Sequence, residues 1–183
     1  MTNVISLRKD SGMDDNEMIL KTTAIKQVRN MAFSFAELYF SFVLKLYTEF
    51  GDETATETVT DILFKRAKER ALIMIEKAKK FKMERIPENI NVLSDVPRLG
   101  WDETAGCKHC PYGVVWVNRI KQYPWFRKYA SLYCDVTDTT IAEVFTGCYS
   151  HKIIKNVVLG DDCCQREYFL SDRVKEGIYT YDK

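Results

Sequence analysis

The segment Cys107-Lys108-His109-Cys110-Pro111-Tyr112 sets two thiols around an imidazole and follows the second with proline. Pro111 suits the first turn of a helix, a position that needs no N–H. Cys110 then caps that helix. A thiol there sits among free backbone N–H groups at the positive end of the helix dipole, which favours the thiolate and nucleophilic chemistry. His109 stands beside it to reinforce the effect. The plain alternative is a cysteine packed as a small apolar side chain. A second cluster, Leu132-Tyr133-Cys134-Asp135-Val136-Thr137-Asp138, spaces Cys134 and Asp138 by four residues and Asp135 and Asp138 by three. On a helix each pair shares a face. Neighbouring carboxylates repel, so one is expected to hold its proton more tightly and to serve acid–base chemistry; a solvated aspartate pair is the competing reading. The third cluster is Gly160-Asp161-Asp162-Cys163-Cys164-Gln165-Arg166. Gly-Asp-Asp suits a hairpin turn, and a strand after it aims Cys164 and Arg166 at one surface and Cys163 at the other. An arginine facing inward requires an anion, from the protein or from a ligand. Zinc held by Cys107, His109, Cys110 and Cys163 or Cys164 has suitable ligand types, but His109 lies too near Cys110 for easy joint ligation. No metal or cofactor is expected.

All six cysteines and both histidines fall after residue 106, so the first half of the chain reads as scaffold. Residues 1–16 are polar and expected to fray. Residues 17–183 are expected to form a single α+β domain, with long N-terminal helices packed on a small antiparallel sheet and a C-terminal β-hairpin. An aromatic-rich helix ends near Phe50 at Gly51, and Thr54-Ala-Thr-Glu57 matches a capping box for the next. Val59, Ile62, Leu63, Ala67, Ala71, Met74 and Ala78 recur at helical spacing toward Phe81. Asn91-Val-Leu-Ser reads as a short strand. Residues after Pro111 suit a helix, although Val114, Val115 and Val117 suit a strand equally well. A further helix runs from Trp125 to about Phe145, and His151–Leu159 pairs with Cys163–Leu170 across the Gly160 turn. The 183 residues are 46% hydrophobic and 29% charged, with net charge +1. That balance argues against a nucleic-acid partner. No stretch supplies the ~20 uncharged apolar residues of a membrane helix, nor a signal-peptide core. A cytoplasmic protein with a small-molecule substrate is expected, its cysteines being thiols; a homodimer stays open.

Taken together, Cys110-Pro111-Tyr112, Tyr133-Cys134-Asp135-Val-Thr-Asp138 and Leu159-Gly160-Asp161-Asp162-x-Cys164 resemble, in order and spacing, the L-2-amino-thiazoline-4-carboxylic acid hydrolase family over roughly residues 30–170. The turn also looks like that of small-ligand domains of the vinyl-reductase type. The first resemblance implies a hydrolase that opens a cyclic amidine or a similar C–N bond. It carries over Cys110, Cys134, Asp135, Asp138, Asp161 and Cys164 as catalytic candidates. His109, Arg119 and Arg166 are the substrate-binding candidates, the arginines for a carboxylate. Arg166-Glu167-Tyr168 departs from the Phe-Arg-Phe-like strand expected there, which bears on the substrate. The alternative function is a binding or sensing domain built on the same pocket.

Overall fold

Helix α1 (Lys21–Phe81) is two arms joined at Gly51. The glycine takes φ 79° and ψ 172°, a backbone state that is essentially closed to residues with a side chain. The chain resumes its helix at once, and Thr54 already lies inside it. The expected capping box is therefore not used. Asp52 stabilises the bend instead: its carboxylate accepts from the Tyr129 hydroxyl at 2.8 Å and from Lys128 Nζ at 2.7 Å. The structure is a computed structural model that describes residues 4–6, 18–104 and 107–172. Most of residues 1–16 lies outside that range. Within it, Val4–Ser6 (β1) pairs antiparallel with Met18–Leu20 (β2).

The second arm of α1 buries Ala55, Val59, Leu63, Ala67, Ala71, Met74 and Ala78, one stripe at steps of three and four. Small residues on that stripe let helix α4 (Phe126–Thr146) approach closely, with Val136, Ile141, Ala142 and Phe145 buried against it. Helix α3 (Pro111–Gln122) packs on the first arm through Trp116 and Ile120. Its periodic burial settles the helix-or-strand ambiguity in favour of helix, with Pro111 in the first turn. The indole N–H of Trp116 donates to the Ala36 carbonyl at 3.1 Å, and Tyr39 donates to the Tyr129 carbonyl at 2.9 Å. Each large side chain fully buried in this cluster contributes about 1.5–3 kcal/mol.

Asn91-Val-Leu-Ser is not a strand. Pro87–Leu93 forms the short helix α2, opened by proline and held down by Ile90 and Leu93. Two further antiparallel pairs follow, Asp102–Thr104 (β3) with Cys107–His109 (β4), and Tyr149–Lys155 (β5) with Gln165–Leu170 (β6). The terminal hairpin has a longer connection than expected, because Val157–Leu159 turns as a 3₁₀ helix. Asn156 starts that turn: its side-chain oxygen accepts from the Val158 N–H at 3.2 Å. The domain is α+β, with helices dominant and the paired strands small. No helix among the described residues is long and apolar enough to cross a membrane.

Candidate functional site

Five distant segments meet at a cavity of about 50 Å³. The N-terminus of α3 brings Cys110 and Tyr112. Helix α4 brings Tyr133, Cys134, Thr137 and Asp138, which its periodicity sets on one face. The terminal hairpin brings Cys164 and Arg166, and the stretch between α2 and β3 brings Arg98 and Trp101. Arg70 of α1 completes the wall. Five of the nine residues expected to form a site (Cys110, Cys134, Asp138, Cys164 and Arg166) thus line one hollow.

The other four do not. His109 is exposed at the end of β4. Arg119 is turned to the first arm of α1, where it pairs with Glu37 at 2.7 Å and covers the Phe40 ring. Asp161 is exposed in the hairpin connection, and its carboxylate accepts from the Asn156 backbone N–H at 2.7 Å. That bond shapes the turn. Asp135 neighbours Asp138 on α4 but stays outside the cavity, with Ser131 donating to it at 3.4 Å. Its carboxyl is nevertheless pushed up from the usual value, by burial first and by Asp138 in addition, against the Ser131 hydrogen bond.

Cys110 and Cys134 are not activated at rest. Cys110 does cap α3, and the N–H groups of Gly113 and Tyr112 and the Arg166 charge all favour its thiolate. Burial outweighs them, so its pKa lies above the ordinary value, opposite to the expectation from position alone. Cys134 is pushed up further, by burial and then by the Asp138 charge. Cys164 is 6% exposed, and its thiol faces the Asn156 side-chain oxygen at 3.9 Å. Cys163 is also buried and is disulfide-bonded, so the expectation of thiols throughout does not hold. Cys164 lines the cavity together with Arg166 and Cys163 does not, although β6 begins only at Gln165. Tyr112 is pushed up to about 12, mainly by burial, and Tyr133 is raised by burial and by Tyr112.

Charge is the other property of the hollow. Arg166 forms an ion pair with Asp138. Burial opposes the Arg166 charge, but Asp138 and the neighbouring thiols and Tyr168 outweigh it. Arg70 donates through Nε to both Asp95 oxygens, at 2.8 and 3.0 Å. Arg98 makes no comparable hydrogen-bonded ion pair among the described residues. Burial lowers its pKa, and Arg166 and Arg70 lower it further, while Asp138 alone of the nearby carboxylates supports its charge. Arg98 Nε and Arg166 Nε are buried without a hydrogen-bond partner. Orphaned polar atoms of this kind are costly, and two at one hollow mark a place suited to a polar ligand.

Sequence reasoning missed Arg98, because it lies in an irregular stretch where no periodicity assigns a direction. It also missed Asn156, whose turn-forming role is signalled only by the Gly160-Asp161 that follows. Among the described residues, no three His, Cys, Asp or Glu side chains come together as a metal site. Neither a protein-family model, nor a curated protein, nor a solved structure matches the chain.

Proposed function

We propose that the chain is a hydrolase that opens a small cyclic amidine bearing a carboxylate, of the 2-aminothiazoline-4-carboxylate type, in keeping with its resemblance to that hydrolase family. The observation that carries this reading is the meeting of Cys110, Cys134, Asp138 and Cys164 at one hollow with Arg98, whose Nε has no hydrogen-bond partner among the described residues. Arg98 receives the substrate carboxylate, and the Asp138–Arg166 pair fixes the opposite wall.

Cys110 is the nucleophile, since it alone of the three cavity thiols stands at a helix N-terminus. Its proton passes to the amidine nitrogen, and the sulfur bonds to the amidine carbon. Collapse breaks the bond from that carbon to the ring heteroatom, which takes a proton from Tyr112. Water then adds to the S-linked carbon and returns a proton to Tyr112. The carbon–sulfur bond breaks, Cys110 recovers its proton, and a carbamoyl product with a free heteroatom leaves. A thiol kept neutral at rest fits a sequence in which the substrate itself is the first base.

Turnover of 2-aminothiazoline-4-carboxylate by the wild-type protein, lost in Cys110→Ala and Cys110→Ser, is the expected result. Full activity in both variants excludes the covalent route. A second reading, a ligand-binding or sensing domain, is favoured by the raised pKa values of Cys110 and Cys134. Stoichiometric binding of the same compound without turnover distinguishes it.

A further inference from the structure

The thiol cavity does not end at its polar walls. Tyr112, Tyr133, Thr137, Val96 and Arg70 also line a groove of about 660 Å³ that runs between the two arms of α1. The far walls are apolar. Phe35, Leu38 and Phe42 come from the first arm and Ile62 from the second, and they are 41%, 54%, 64% and 56% exposed. The two arms meet at the Gly51 bend. The volume falls within the range of small-molecule sites, which are mostly apolar with a few placed polar groups.

Charge decides the occupant. At the junction of groove and cavity, Arg70 is matched by Asp95 and Arg166 by Asp138, which leaves the positive charge of Arg98 in surplus. A single anionic head at the closed end and an uncharged tail along the groove satisfy both parts.

We infer that the ligand of this site is an amphiphilic carboxylate, its head at Arg98 and an apolar tail of several carbons along the α1 groove. The inference rests on the reading that the cavity takes a carboxylate, and it extends the substrate class from a bare ring to one with an apolar substituent.

Calorimetric titration of the full chain with butyrate, hexanoate, octanoate and octan-1-ol tests it. Each added methylene is expected to tighten binding about fourfold, so octanoate exceeds butyrate by about two orders of magnitude. Octan-1-ol binds more weakly than octanoate. Arg98→Met removes that difference and leaves the alcohol unchanged. Phe42→Glu and Ile62→Glu flatten the dependence on chain length. Octanoate binding no tighter than butyrate overturns the inference. So does a dimer, seen by sedimentation, that Phe42→Glu dissociates while octanoate fails to bind, since a second copy then covers the groove. The hydrolase reading is judged separately: octanoate binding without thiazoline turnover keeps the inference and removes the hydrolase, and turnover without chain-length dependence does the reverse.

Discussion

Replacing Asp138 by asparagine strips the negative partner from Arg166, whose side chain is 18% exposed beside an Asp138 that is 27% exposed. Breaking a buried ion pair from one side typically costs 3–5 kcal/mol, because the remaining charge stays desolvated. Partial exposure places this pair at the low end, about 3 kcal/mol. For a chain of this size each kcal/mol lowers the melting temperature by about 2–4 °C, so Asp138→Asn is expected to melt about 6–12 °C lower. Arg98 adds to the loss, since Asp138 also supports its charge. The double variant Asp138→Asn with Arg166→Met removes both charges and is expected to recover most of the stability. Cys134 supplies an internal check. Asp138 raises its pKa and Arg166 lowers it, so Asp138→Asn makes that thiol easier to ionise and faster to alkylate. Urea unfolding, thermal melting and peptide mass spectrometry after iodoacetamide give the readouts. A single variant that melts within 2 °C of wild type (about one kcal/mol or less), or a double variant no more stable than the single, refutes the reasoning.

Gly51→Ala meets no atom within 4 Å, so its cost is purely one of backbone strain, and a loss of about 1–3 kcal/mol in urea unfolding is expected. Gly113→Ala is different in kind: the new methyl lies 2.5 Å from Val157, so the 3₁₀ turn must shift, and crystallography should show Asn156 displaced from Cys164. Iodoacetamide at pH 7 should modify Cys148 before Cys110, Cys134 or Cys164, because Cys164 is buried and burial raises the pKa of Cys110 and Cys134. Stability should also depend on alkaline pH. The folded chain keeps the Cys134 proton above the ordinary thiol value of 9.0, whereas the unfolded chain releases it, so stability falls as pH rises past 9. Urea unfolding at pH 8 and 10 should show that slope in the wild type and a smaller one in Cys134→Ala.

Local rules were enough wherever a residue's neighbours in sequence determine its geometry. Pro111 announces the start of α3 and hence Cys110 at its cap, and the four-residue spacing puts Cys134 and Asp138 on one face of α4. The Gly51 break is equally visible, although Thr54 and Glu57 mimic a cap one turn too late. What failed depends on distance along the chain. Arg119 finds Glu37 82 residues away, and no pattern around either residue signals that pairing. Position at the helix end gave the wrong sign for Cys110 because burial among the other segments of the cavity exceeds the field of one helix end. Arg98 sits beside Pro97 in a stretch without period, so neither its inward position nor its unpartnered Nε could be read. Asp161 was assigned chemistry through the resemblance, while its carboxylate is spent on the hairpin turn.

The central claim is that the hollow among α3, α4 and the terminal hairpin is a carboxylate site with Arg98 as its cation. Calorimetric titration of 2-aminothiazoline-4-carboxylate into wild-type protein and Arg98→Met tests it most directly, with the melting temperature of each recorded. One-to-one binding to wild type is expected, weakened at least tenfold in Arg98→Met, while that variant melts no lower because it sheds a desolvated charge. Equal binding by both proteins, or a variant that loses binding only because it unfolds, contradicts the claim.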